Sequence, residues 1–139
     1  MLTKRAFVTG ATGFVGGALV RRLVSDGWEL VVLVREQSQY APLKKLGATV
    51  VFGDLCQPES LSELLKGCSV VFHCAALTGV EHRIDDFHQV IAEGTSNLLQ
   101  AADSAGVERF VYVSSILVYE LTENVTRYTE SMSLLTSSM

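Results

Sequence analysis

Five short apolar runs, each rich in β-branched or aromatic side chains, constrain the fold most. They are Ala6-Phe7-Val8-Thr9, Leu30-Val31-Val32-Leu33-Val34, Thr49-Val50-Val51-Phe52, Val70-Val71-Phe72-His73 and Phe110-Val111-Tyr112-Val113. The runs are continuous rather than alternating, which suits strands buried on both faces, as in a parallel sheet covered by helices. Between them lie stretches with helical spacing. Val15, Ala18, Leu19 and Leu23 form a stripe over roughly 14–26, and Leu61, Leu64 and Leu65 do so over roughly 58–66. Phe87, Ile91, Gly94, Leu98 and Ala101/Ala102 line a longer helix, roughly 84–105. Gly27, Gly47, Gly67 and Gly106 each stand just before a strand, where a residue without Cβ can close the preceding helix in a left-handed conformation. The repeating unit is therefore βα. It predicts an α/β, doubly wound parallel sheet of about five strands with helices on both faces.

Composition narrows the function classes. With 139 residues, 48% of them hydrophobic, the chain supports one domain with a buried core. No apolar run approaches the roughly 18–20 residues that span a bilayer, and the start is too short for a signal-peptide core, so a cytoplasmic protein without membrane contact is expected. Fifteen acidic against 11 basic residues, with no basic cluster, argue against nucleic acid as a partner. Cys56, Cys68 and Cys74 form no CxxC pair, and His73, His82 and His88 lack ligand spacing, so no metal site is expected. Residues 1–120 read as the domain. Residues 121–139, rich in Ser and Thr and without periodicity, read as a loop-like tail.

The chemistry begins directly after the first strand, at Thr9-Gly10-Ala11-Thr12-Gly13-Phe14-Val15-Gly16-Gly17. Glycines spaced G-x-x-G-x-x-G between a strand and a helix have three physical uses. One permits the tight turn, one lets backbone N–H groups approach a pyrophosphate, and one lets helix and strand pack closely. The positive end of the helix then faces the anion. Arg35, 25 positions after Gly10, stands at the end of the second strand. An acidic residue in this region receives the ribose hydroxyls of NAD, whereas an arginine pairs with the 2′-phosphate of NADP. Arg35 thus favours NADP over NAD, with Lys44 and Lys45 as further nearby positive charge and Glu36 as a competing contact to ribose.

The segment Val8-Thr9-Gly10-Ala11-Thr12-Gly13-Phe14-Val15-Gly16 resembles the cofactor turn of the extended short-chain dehydrogenase/reductase family, the NAD-dependent epimerase/dehydratase-like proteins. Further matches follow in family order: Gly53-Asp54-Leu55, Val71-Phe72-His73-Cys74-Ala75-Ala76, Glu93-Gly94-Thr95-Ser96-Asn97-Leu98-Leu99, and Phe110-Val111-Tyr112-Val113-Ser114-Ser115 with Val118-Tyr119. The resemblance implies a Rossmann-type sheet in the order 3-2-1-4-5. It implies cofactor contacts from Gly10, Thr12, Gly13, Phe14, Val15 and Gly16, with Asp54 and Leu55 beside the adenine and Ala75 and Ala76 against the adenosine. It assigns Ser115 as the catalytic serine, which hydrogen-bonds a substrate carbonyl or alcohol. The implied activity is hydride transfer to or from a ketone or alcohol, or sugar-nucleotide epimerisation or dehydration.

Two departures bear on that activity. The family's acid is a tyrosine with a lysine four residues on. No such pair follows Ser115, and the chain ends at Met139, 24 residues beyond it. Tyr40–Lys44 has the spacing but precedes the serine and reads as coincidental. Ile91 stands where the family commonly carries Asn. The leading reading is an NADP-binding N-terminal portion of such a protein, with a small-molecule substrate of unspecified identity. A non-catalytic dinucleotide-binding or redox-sensing module is the alternative, and a truncated chain without autonomous function is a third. Weak NADP binding without hydride transfer is expected of the 139 residues. A sheet ending at its fifth strand leaves an apolar edge, where self-association into a homodimer is expected.

Overall fold

The computed structural model describes residues 4–79, 81–119 and 127–135. Five parallel strands form its sheet: β1 (Arg5–Thr9), β2 (Glu29–Val34), β3 (Thr49–Phe52), β4 (Val70–His73) and β5 (Arg109–Tyr112). Their order is β3-β2-β1-β4-β5, the Rossmann-type order that the sequence predicts. β1 is central, with Val8 opposite Val32 on one side and Phe72 on the other.

The helices are α1 (Phe14–Ser25), α2 (Ala41–Lys45), α3 (Leu61–Leu64), α4 (Ile84–Phe87) and α5 (Gly94–Ser104). Side chains leave a strand alternately to its two faces, so β1 sends Ala6 and Val8 one way and Phe7 the other. Ala6 and Val8 join Leu30, Val32 and Val34 of β2 beneath Val20 and Leu23 of α1 and Leu43 of α2. Phe7 joins Val31, Leu33 and Val71 beneath Leu61, Leu65, Leu98 and Ala101, on the side of α3 and α5. The two buried clusters on opposite faces are why the strand sequences are apolar without alternation.

Details depart from the sequence expectation where a helical period is too coarse. In α1 the buried stripe is Gly16, Val20 and Leu23, while Val15 and Ala18 face outward. The helix is rolled because its Gly16 side sits against the turn after β1. The helix expected over 84–105 runs from Ile84 to Ser104, but its middle, His88–Glu93, is π-helical. Gly94, Leu98, Ala101 and Ala102 are buried there, whereas Phe87 and Ile91 are only half-buried. The segment at 58–66 splits into a 3-10 turn, Pro58–Ser60, and α3. α2, five residues long, has too few positions to show a period. The four glycines before strands all have positive φ, from +71° at Gly106 to +86° at Gly47. β5 is one edge of the sheet and β3 the other; Val111 and Tyr112 of β5 and Val113 just after it are exposed. Of the tail assigned to 121–139, residues 127–135 carry turns and bends only, and the remainder lies outside the described residues.

Leu98 is fully buried between α5 and the sheet. Truncating such a side chain removes its transfer energy and leaves a cavity, typically ~2–5 kcal/mol. Leu98→Ala should lower the urea unfolding free energy by about 3 kcal/mol with an unchanged m-value.

Candidate functional site

The turn after β1 is built from backbone approaches that a side chain would block. Gly10 has φ +68°, and a Cβ there would stand 2.6 Å from the backbone of Cys74 and Ala75. A Cβ at Gly16 would fall on the carbonyl oxygen of Gly10 and within 2.7 Å of its carbon. These two glycines let the β1 turn, the exit of β4 and the first turn of α1 meet at backbone distance. Gly13 differs: its Cβ would meet only the Gly10 oxygen, at 3.3 Å. Its N–H closes the turn onto Gly10 O (3.0 Å), and the residue is the N-cap of α1. No side chain caps this helix. The amides of Phe14, Val15 and Gly16 precede the first intrahelical bond, Gly17 N–H to Gly13 O at 2.9 Å, so they remain donors for an anion.

A cavity of about 520 Å³ opens in front of this turn, at the carboxyl ends of β1, β2, β3 and β4. In the order 3-2-1-4-5 the chain reverses its winding between β1 and β4, and the crevice formed there is where open α/β sheets take ligands. Eight residues singled out from the sequence line it: Gly10, Thr12, Gly13, Arg35, Asp54, Leu55, Ala75 and Ala76. Phe14, Val15 and Gly16 do not. Phe14 is 94% exposed, so only its backbone belongs to the cradle. Arg35 is exposed at the rim, while Lys44 is held over the Tyr40 ring, 5.0 Å from its centroid, and neither Lys44 nor Lys45 reaches the cavity. Tyr40–Lys44 is thus a ring contact on α2. Asp54 Oδ1 accepts the Cys56 N–H (2.9 Å), so the carboxylate also shapes its own loop.

The floor of the site is a buried polar chain. Ala75 N–H donates to Thr9 Oγ1 (3.2 Å), Thr9 Oγ1 lies 2.6 Å from His73 Nδ1, and His73 Nε2 lies 3.0 Å from Thr95 Oγ1 on α5. His73 is 1% exposed, and burial pushes its pKa down to about 4, so the ring is neutral at pH 7. Each hydroxyl has one donor and two acceptor sites, and the neutral ring donates at one nitrogen and accepts at the other, so the chain is satisfied from Ala75 to Thr95 in either ring tautomer. Asn97 Nδ2 donates to Leu55 O (2.8 Å), tying α5 to the loop after β3. Gly94 serves the same loop: a Cβ there would press on Leu55 Cβ at 3.1 Å.

The comparisons with known proteins agree with this geometry. Residues 6–138 match the model of the NAD dependent epimerase/dehydratase family. The chain belongs to that family. It is 39% identical over 111 residues to a 4-hydroxy-2-methyl-3-oxo-4-farnesyl-3,4-dihydroquinoline-1-oxide ketoreductase of Stigmatella aurantiaca, an alignment covering 80% of this chain and 33% of that protein. It is 36% identical over 110 residues to a 2-alkyl-3-oxoalkanoate reductase of Shewanella oneidensis, covering 79% and 28%. The chain therefore spans about a third of the length of the curated relatives it matches. Among solved structures, a dTDP-glucose 4,6-dehydratase of Streptomyces venezuelae with NAD bound superposes with a TM-score of 0.82 at 32% identity, over 94% of this chain and 45% of that one.

In this family member Ser115 stands apart from the cavity. It caps a 3-10 turn, Ile116–Val118, where its Oγ accepts the Leu117 N–H at 3.2 Å. It opens instead on a second, shallower hollow with Ile116, Val118, Leu134 and the paired rings of Tyr119 and Tyr128, whose centroids are 5.8 Å apart. Sequence reasoning missed Ser38, Cys56, Gln57, Gln89 and Val90, all of which line the main cavity. Gln89 and Val90 reach it from the π-helical segment, which no residue pattern had marked. Burial, with the Asp54 carboxylate second, pushes the Cys56 thiol up, and burial raises Cys74 too. Both stay protonated at neutral pH, unlike the low-pKa thiolates of redox sensors. Among the described residues no cluster of His, Cys, Asp and Glu could hold a metal ion, and no helix is long and apolar enough to cross a membrane.

Two outcomes follow from the geometry. Gly16→Ala should destabilise the fold markedly, because the clash is with backbone and neither partner can rotate away; a fall in thermal midpoint well beyond that of Ala18→Gly on the exposed face of α1 would show it. Histidine in the unfolded chain takes up a proton near pH 6.5, whereas the buried His73 ring does so only near 4. Stability from this residue is complete above pH 6.5 and is lost as the pH falls towards 4, amounting to about 2 kcal/mol at pH 5. Urea unfolding at pH 7 and pH 5 should show that loss in the wild type and a smaller one in His73→Asn.

Proposed function

We propose that the main cavity binds a nicotinamide dinucleotide, NADP ahead of NAD, and that the chain is the cofactor-binding part of a reductase acting on an apolar ketone. The observation that carries this reading is the convergence of four strand ends on an uncapped helix N-terminus, with Gly10 and Gly16 clearing the approach. The amides of the first turn of α1 receive the pyrophosphate, and Asp54, Leu55, Ala75 and Ala76 flank the adenosine. Arg35 at the rim supports NADP, since its guanidinium can pair with a 2′-phosphate through charge-assisted hydrogen bonds. When bound, the cofactor supplies the hydride.

Ser115 serves the substrate. Its Oγ accepts from the Leu117 N–H and keeps its own O–H to donate to a carbonyl oxygen, which it polarises and orients rather than attacks. Ile116, Val118 and Leu134 beside it favour an apolar substituent over a sugar nucleotide. The names of the two reductases above, one with a farnesyl and one with an alkyl chain, support the same class. The free cysteines Cys56, Cys68 and Cys74 are compatible with a reducing, cytoplasmic compartment.

Titration of the chain with NADP and with NAD tests the reading. NADP should bind more tightly, and Arg35→Ala should weaken NADP by about tenfold or more while leaving NAD within about twofold. Ser115→Ala should leave both affinities unchanged. Tighter NAD than NADP, with no loss on Arg35→Ala, would overturn the cofactor assignment.

A further inference from the structure

We propose that His73 is a positioning residue for the dinucleotide: acting through Thr9 Oγ1, it fixes the Ala75 amide and so sets the gap between the Gly10 turn and the cavity wall formed by Cys74, Ala75 and Ala76. The inference rests on the dinucleotide reading of the cavity. In the sequence His73 is only the last residue of an apolar run. The geometry gives it a direction. The wall after β4 is held to β1 by two bonds, Cys74 N–H to Thr9 O (3.3 Å) and Ala75 N–H to Thr9 Oγ1 (3.2 Å). The second depends on the rotamer of one threonine. A threonine hydroxyl swings about its Cα–Cβ bond unless a partner holds it, and the partner is His73 Nδ1 at 2.6 Å.

The ring is itself fixed from the far side. Nε2 meets Thr95 Oγ1 at 3.0 Å, and the ring contacts Phe110 edge-on and Tyr112 at a tilt, both on β5, with ring centroids 6.0 and 5.4 Å away. The wall cannot drift inward, because Gly10 already lies against it at a distance no Cβ could share. It can only move outward, widening the cavity, and the Thr9–His73 bond opposes that movement. His73 is not among the residues that line the cavity, whereas Thr9 is, so it acts through Thr9.

Replacements that mimic one ring nitrogen at a time separate this role from simple stability. Asparagine places a polar atom near Nδ1, and glutamine places one near Nε2. His73→Asn therefore keeps the Thr9 bond and loses Thr95, while His73→Gln does the reverse and His73→Phe loses both. Dinucleotide dissociation constants, measured with NADP and NAD, should stay within about threefold of wild type for His73→Asn. They should rise about tenfold for His73→Gln and His73→Phe, the order of one lost hydrogen bond. Hydrogen exchange of the Ala75 amide in the unliganded chain should quicken in the Gln and Phe variants and not in the Asn variant. Thr95→Val, which spares the ring, should bind as tightly as wild type. Affinities that follow thermal midpoint alone across the series, or wild-type affinity and Ala75 protection in His73→Phe, would overturn the proposal. If the wild type binds neither dinucleotide, the reading of the cavity fails instead, while the exchange measurement still decides whether His73 fixes the wall.

Discussion

The structure depends on a backbone contact: the carbonyl of Gly10 against Gly16, and Gly10 itself against the peptide between Cys74 and Ala75. Three elements distant in sequence, the end of β1, the start of α1 and the exit of β4, meet where there is room for no side chain. That contact aims the uncapped end of α1 at the cavity. It also seats α1 so close to the sheet that its buried face turns to Gly16, Val20 and Leu23. Removing Cβ at two positions thus fixes both the packing of a layer and the direction of a helix dipole.

Around this contact the protein spends its few buried polar groups. Thr9, Ser69 and His73 are the buried polar residues among those described, and two of the three lie on the chain from Ala75 to Thr95. A neutral histidine suits such a place because it donates at one nitrogen and accepts at the other, linking β1 to α5 through β4 without bringing a charge into the core. Buried polar networks that are fully satisfied specify one arrangement of their neighbours. Here the neighbours are the walls of the candidate site.

Much of this was legible in the residues. The continuous runs gave the strands within a residue or so at each end: β1, β2 and β4 are covered on both faces and leave no polar position to confuse the pattern, while the edge strands β3 and β5 keep the apolar run although their residues are half-buried or exposed. The glycine spacing, flanked by strand and helix, marked the turn, since only glycine meets its steric demand. Less legible was everything that depends on how far a chain travels between two fixed points. Nothing in Gln89 or Val90 signals a ligand, and they reach the cavity because the π-helical segment from His88 to Glu93 places them there. Phe14, within the motif, turns its side chain to solvent. Lys44, expected near Arg35, is drawn to Tyr40 one helical turn away.

By itself the sequence determined the βα alternation, the parallel sheet and the place of the phosphate-binding type of turn. Each of these follows from local rules: periodicity, the steric freedom of glycine, and the apolar character of a strand covered twice. Only the tertiary structure decided which of the motif residues face one another and which serve the fold. Asp54 divides its carboxylate between loop and cavity, Ser115 caps a turn beside a different hollow, and His73 becomes the link between three elements. The reason is physical. A hydrogen bond between residues 64 positions apart, as between Thr9 and His73, exists only once the sheet has closed, and no local pattern encodes its geometry.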